Sequence, residues 1–336
     1  MKTIVFSGTG DSTVLTLVER DLPEPGDGQI RVRIHRSGVN PTDWKRRSAG
    51  DLGFSEVTPN MDGAGVVDAV GPGVLSHSIG DRVWVMLAAH GSPYGTAAEF
   101  SIVPAAHAFP LPEGISFDAG ASLGVPAVTA HRALTVSEFG PSRLEPGALD
   151  GRTVLVAGGA GAVGHAAIQL ARWAGATVVT TVSSEEKAAL ARAAGAHHVV
   201  DYTRGEPAKE IRAVAPDGVD IIVEVSVARN AELNQAVAAN HATIAVYANN
   251  GGDTAAFDIR PHMMLNARVQ FLILYTVGEQ ALQAAAEDVG AALRDGALPV
   301  GEEHGLPLRH FPLDRTAEAH DAVEQGTIGK ILIATD

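Results

Sequence analysis

Apolar residues fall into two regimes along the chain. Up to about residue 125 they form short β-prone runs, TIVFSG, QIRVRIH, GAGVVDAVG, DRVWVML and AEFSIV, broken by turn sequences such as PEPGDGQ and VGPGV. Runs of this length with Gly and Pro between them predict a Gly-punctuated, barrel-like β domain. From about Thr153 the runs become continuously apolar (TVLVAG, ATVVTTV, HHVVDY, VDIIVEV, TIAVYA, VQFLILY), with Ala-rich amphipathic stretches between them. Strands buried on both faces and alternating with helices predict a parallel, doubly wound sheet.

A helix over about 278–295 is expected to stop at Gly296, with Pro299 just beyond. The chain then returns to short elements: LPLRHFPLD, the helix-like TAEAHDAVEQG and the strand-like KILIAT. The organisation this predicts is a nucleotide domain, residues 126–295, inserted into a β-rich domain made of residues 1–125 and 296–336. The run RVQFLILY comes last in the doubly wound series, so a strand over 268–275 is expected at a sheet edge. Its unpaired backbone groups would invite a symmetry mate, which predicts a homodimer.

Composition narrows the partners. The 336 residues carry a net charge of −14 with no long basic run, which sets an unfavourable field against nucleic acid. No apolar segment reads as a signal peptide or a membrane span, so no membrane partner and a cytoplasmic location are expected. There is no cysteine, which excludes disulfides, thiolate nucleophiles and Cys-ligated metal sites.

The strongest chemical signal is TVLVAGGAGAVGHAAIQLARWAG, an apolar strand, then Gly158, Gly159, Gly161 and Gly164, then an Ala-rich helix. Small residues here let a backbone approach a pyrophosphate, whose charge the helix N-terminus favours. The bland alternative is a tight strand-to-helix turn in which the glycines serve packing alone. About twenty residues on, NAD-selective sites end the second strand with an acid; this chain has Thr180, Thr181, Ser183 and Ser184, with Lys187 a turn later. Hydroxyls and an ammonium suit a 2′-phosphate, so the expected cofactor is NADPH. Against this, Ser183 and Glu186 also fit a capping box, and Lys187 fits a solvated helix position.

The segments GVNPTDWKRRSAG (38–50), DGAGVVDAVGPGV (62–74), GDRV (80–83), GVPAVTAHRAL (124–134) and VDIIVEV (219–225) resemble, in order and spacing, the zeta-crystallin-like quinone reductases of the medium-chain dehydrogenase/reductase superfamily. With the Gly loop and the terminal GKILI, the resemblance covers nearly the whole chain. It implies a Rossmann domain inserted into a GroES-like domain. It also implies that Asn40 and Thr129 lie beside the nicotinamide, that Ala160, Gly161, Ala162 and Val163 wrap the pyrophosphate ahead of Gly164, and that Lys187 and Tyr202 hold the 2′-phosphate region, where the hydroxyls of Ser183 and Ser184 already suit a phosphate. For Asn40, an amide capping the turn before Pro41 is the alternative; for Tyr202, it is packing over the loop after VVDY. Zinc-dependent relatives hold their catalytic metal at the positions matching Asn40, Met61 and Val125, which together are not a zinc ligand set, so no metal is expected.

Without a Lewis acid to activate an alcohol, hydride transfer to an electron-poor acceptor, a quinone or an enone, is the expected chemistry. The main reading is an NADPH-dependent quinone reductase. An enoyl or alkenal double-bond reductase and a metabolite-tailoring reductase are alternatives on the same scaffold, and a non-catalytic NADPH-binding protein, crystallin-like or RNA-binding, is the alternative of another class. On the substrate side Lys45, Asp51 and Ala97 stand where some quinone reductases carry tyrosines, with Trp44 and Tyr94 nearby in sequence.

Overall fold

The computed structural model describes residues 1–335. The chain divides into two compact units, Met1–Val125 with the segment from Leu308 onward, and Pro126–Pro307. In the first unit β1 (Lys2–Val5) pairs antiparallel with β2 (Thr16–Glu19). There follow β3 (Gln29–Val39), α1 (Pro41–Ala49), β4 (Asp62–Val70), β5 (Arg82–Val85), β6 (Phe100–Pro104), β7 (Ala108–Pro110) and the short α2 (Phe117–Gly120). Helix α3 (Gly124–Leu134) begins in the first unit and continues in the second.

The second unit alternates β8 (Thr153–Ala157), α4 (Ala162–Trp173), β9 (Thr177–Val182), α5 (Glu185–Ala193), β10 (His198–Asp201), α6 (Pro207–Val214), β11 (Val219–Glu224), α7 (Val227–Val237), β12 (Ala238–Val246), α8 (Ile259–Met264), β13 (Arg268–Phe271) and α9 (Glu279–Arg294). The six strands are parallel in the order β10-β9-β8-β11-β12-β13. Strand order reverses between β8 and β11, so the crevice beyond their carboxyl ends is the place where such sheets bind ligands. Leu155, Val179, Ile222 and Ile244 from four neighbouring strands, with Ile211 of α6 and Val237 of α7, form the core on one face. β13 is the expected edge strand but is shorter than its apolar run. It ends at Phe271, opposite the last residue of β12, Val246, and a 3₁₀ turn over Leu274–Thr276 follows where no neighbouring strand remains to extend the ladder.

The returning chain supplies β14 (Leu308–Pro312), α10 (Thr316–Glu324) and β15 (Lys330–Ala334) to the first unit. They complete a seven-stranded mixed sheet ordered β14-β15-β3-β4-β5-β7, with β6 on β3. The eleven residues of β3 serve three partners. Its first half pairs with β6, its second half with β15, and β4 runs along nearly all of it with register shifts between Arg31/Val32 and Ile34/Arg36. Such irregularities bend a strand, which lets one strand belong to a curved, barrel-like sheet. Ile30, Val32, Ile34, Val67, Val83, Val85 and Val103 fill its interior. Among the described residues no helix is long and apolar enough to cross a membrane.

Each unit carries a buried neutral histidine. In the second, His165 of α4 donates from Nε2 to His304 O at 2.9 Å, and burial pushes its imidazolium down to about 4. In the first, His320 of α10 meets Asn60 Oδ1 at 2.9 Å, and burial, then the Arg47 guanidinium, hold it at about 3. Neither protonates in the folded chain at mildly acid pH, whereas both do so in the unfolded chain below 6.5, so stability is lost as pH falls from 6.5 through this range. For His165 the loss between pH 6.5 and 4 is on the order of 3 kcal/mol. Urea unfolding at pH 7, 5.5 and 4.5 is expected to show a falling midpoint, and His165→Gln, whose amide keeps a donor for His304 O, to flatten it; an unchanged slope in the variant would contradict the assignment.

Candidate functional site

The loop between β8 and α4 is built on close approach. Gly158 sits at φ +73° and its N–H, with that of Gly159, donates to Thr181 O at 3.0 and 3.3 Å, stitching the loop to β9. A Cβ on Gly159 would run into Thr180 Oγ1 and lie 2.9 Å from Ile168 Cδ1; one on Gly164 would run into Gly158 O and lie 2.9 Å from Gly159 Cα. The first turn of α4 is thereby pressed onto the turn that leaves β8. Gly161 is its N-cap and has no side chain to cap it, so the amides of Ala162, Val163 and Gly164 are offered outward at the positive end of the helix dipole. Ala160, buried at 7%, packs beneath the same turn. These features fit a pyrophosphate, which needs amide donors and no intervening side chain.

Strand β9 ends beside this loop without an acid. Lys187 Nζ donates to Ser183 Oγ at 3.0 Å, and Ser184 Oγ accepts from Lys187 N at 3.3 Å as the N-cap of α5. The helix therefore starts one residue later than a Ser183–Glu186 capping box requires, and Lys187, not Glu186, occupies the third helical position. Glu185 is paired with Arg192 at 2.7 Å on the exposed side of α5. Tyr202 follows β10, is half exposed at 51%, and its N–H donates to Val182 O at 3.0 Å. Ser183, Ser184, Lys187 and Tyr202 thus share the carboxyl end of β9 and β10, and Lys187 brings a cation to it.

Two groups in this unit escaped sequence reasoning. Glu224, the buried last residue of β11, accepts from Asn230 Nδ2 at 3.0 Å, Asn234 Nδ2 at 2.6 Å and Ser226 N at 2.5 Å. Burial, then Glu224 itself, raise the phenol of Tyr247 at the end of β12. The sequence carries the signal as an acid inside the apolar run VDIIVEV. Thr129 lies in α3, 6% exposed among the buried Ala127, Val128 and Ala130.

In the first unit Asn40 precedes α1 and is 2% exposed. Asp43, at the third position of that helix, accepts from Asn40 N at 2.7 Å and from Met61 N at 3.1 Å. The Asn40 amide donates from Nδ2 to Asp62 Oδ2 at 2.7 Å and accepts on Oδ1 from Lys330 Nζ at 2.7 Å. Lys330 lies 3.9 Å from Asp62, and Val125 N donates to both Asp62 oxygens at 2.9 Å. Asn40, Met61 and Val125 all border Asp62. Burial raises Asp43 to about 7, with the Asp62 carboxylate adding to it; burial also raises Asp62 and lowers Lys330, each opposed by the other's charge. Among the described residues no group of three or more His, Asp or Glu side chains is placed to hold a metal ion.

Residues 26–113 match the alcohol dehydrogenase GroES-like domain and residues 162–289 the zinc-binding dehydrogenase family. The quinone oxidoreductase of Rattus norvegicus is 30% identical over 338 residues, spanning 98% of this chain and 96% of that protein. The chain belongs to the quinone oxidoreductase family of the medium-chain dehydrogenase/reductase superfamily. Within that superfamily a mycobacterial protein solved in complex with NADPH superposes with a TM-score of 0.83 at 28% identity, covering 100% of both chains. A 2-haloacrylate reductase does so with a TM-score of 0.81 at 25% identity, again over 100% of both. The Rossmann and GroES-like parts of the fold are thus those of the quinone oxidoreductase family.

Gly159→Ala is expected to lower stability by about 2 kcal/mol through overpacking. Adding Thr180→Ala, which removes the Oγ1 in the way, should recover part of the loss. A double-mutant cycle by urea unfolding that shows strict additivity would contradict this packing.

Proposed function

We propose that this chain is a zinc-independent oxidoreductase that carries hydride from NADPH to a quinone. The observation that carries the reading is the pairing of an uncapped, glycine-lined α4 N-terminus with an acid-free strand end where Lys187 and Ser183 already form a cationic pair. Ala160, Gly161, Ala162, Val163 and Gly164 would receive the pyrophosphate. Ser183, Ser184, Lys187 and Tyr202 would receive the adenosine 2′-phosphate. NADPH, when bound, supplies the hydride; Asn40 and Thr129 would orient the nicotinamide and the acceptor. Full-length similarity to quinone oxidoreductases supports a quinone as that acceptor, and the absence of cysteine suits a cytoplasmic enzyme that needs no oxidative maturation.

A second reading, reduction of an activated carbon–carbon double bond, is favoured by the similarity to a 2-haloacrylate reductase and by Lys45, Asp51 and Ala97 at positions where some quinone reductases carry tyrosines. Ala97 is fully buried among Ile4, Val39 and Ile331, so it offers no surface to a flat ring. A steady-state screen of NADPH and NADH against simple quinones and enones separates the two: the proposal expects NADPH oxidation with quinones, and turnover with enones alone would transfer the assignment to the second reading.

Lys187→Ala is expected to weaken NADPH binding roughly tenfold to a hundredfold while leaving NADH nearly unchanged, since a charge-assisted contact is worth about 1.5–3 kcal/mol. Equal losses for both cofactors, measured by fluorescence titration, would count against it.

A homodimer formed through β13 is part of the proposal. Its support is the open edge of the six-stranded sheet. Leu272 N donates inward to Val246 O, so by strand alternation the N–H groups of Phe271 and Ile273 face outward, and their side chains are 64% and 54% exposed. At that exposure a change to Asp perturbs the fold little, so Phe271→Asp and Ile273→Asp should sediment as folded monomers; variants that remain dimeric would rule this interface out.

A further inference from the structure

Asn40 differs from the other proposed site residues in having ionised groups on both ends of its amide. Lys330 donates to Oδ1 and Asp62 accepts from Nδ2, each at 2.7 Å. An ammonium has no acceptor and a carboxylate no donor, so the flipped amide would set N–H against N–H and oxygen against oxygen. The amide, whose two ends are alike in shape, is therefore allowed one orientation only. Its partners are themselves fixed. Lys330 opens β15 and is 1% exposed, Asp62 opens β4 and is 0% exposed, and Val125 N holds both Asp62 oxygens. The lysine stem runs past Gly38 of β3, where a Cβ would run into Ala121 O and sit 3.1 Å from Lys330 Cε. The backbone is thus shaped to admit this side chain to this amide.

We propose that Lys330 and Asp62 are positioning residues that lock the Asn40 amide in one orientation, leaving one Nδ2 hydrogen for the nicotinamide half of the cofactor. The inference rests on the reading of Asn40 as a nicotinamide-side residue of an NADPH enzyme. An ion pair that served the fold alone would only have to be neutralised, whereas an orienting pair has to keep its donors and acceptors in place.

The test compares wild type, Asn40→Ala, Asp62→Asn and the double variant Lys330→Met/Asp62→Asn by melting temperature, and by titration with NADPH and with adenosine 2′,5′-bisphosphate, which lacks the nicotinamide half. The double variant removes both charges together and leaves Asp43, which burial already raises to about 7, to take up a proton. Asp62→Asn alone leaves Asp43 to balance Lys330 and serves where the double variant does not fold. The expected result is a folded protein whose NADPH affinity falls about tenfold, as in Asn40→Ala, with the bisphosphate affinity unchanged, and with no further loss when Asn40→Ala is added. Folded variants that bind NADPH as wild type does, or that lose both ligands equally, would overturn the proposal. Quinone-dependent NADPH oxidation by the wild type is read in parallel, so a failed orienting role is told apart from a failed cofactor assignment, in which the wild type itself binds no NADPH.

Discussion

Helix α4 begins against the turn that leaves β8, with no room for a Cβ between them, and the nucleotide unit is arranged about that closeness. Gly164 presses on Gly158 O, and Gly159 presses on Thr180, whose hydroxyl is itself turned down onto Val156 O at 2.7 Å. The same loop hangs its first two N–H groups on Thr181 O. The loop, the helix start and the end of β9 are therefore one rigid piece. That rigidity sets the free amides of α4 and the Ser183–Lys187 pair at fixed places along the carboxyl edge of the sheet, ready for an anion before it arrives.

Much of this was legible in the sequence because its cause is local. Runs such as VDIIVEV and TIAVYA are buried on both faces of a parallel sheet, and nothing but a central strand suits six consecutive apolar-rich positions flanked by helices. The glycines of the loop were readable for the same reason, since they fall between a strand and a helix. Where one residue decided the outcome, the pattern was less informative. Ser183 and Ser184 are both good N-caps, and the cap fell on Ser184. RVQFLILY reads as eight residues of strand, yet the strand lasts only while Val246 and its predecessors lie alongside.

The buried charge cluster of the first unit was not legible, and distance along the chain is the reason. Asn40 and Lys330 are 290 positions apart and Asn40 and Asp62 are 22 apart, and no periodicity links such positions. A lysine heading the apolar strand KILIA was the one available sign, because a charge that points into a core must have a partner there. The fold brings that partner from the far end of the chain, through the pairing of β15 with β3. The result gathers an ammonium, two carboxylates and an amide, and only the amide, Asn40, stands at one of the three positions compared above with zinc ligands. Lys330 offsets one of the two carboxylates, and burial raises the other, Asp43, to about 7.

Direct transfer of hydride from the nicotinamide to the acceptor is the claim on which the functional account stands. Single-turnover reduction of a quinone by NADPH deuterated at C4, on one face and then on the other, tests it most directly. Transfer from a nicotinamide held in one orientation gives a several-fold slowing with one labelled face and none with the other. Equal rates for both labelled forms and the unlabelled cofactor, or no oxidation of NADPH at all, would contradict it.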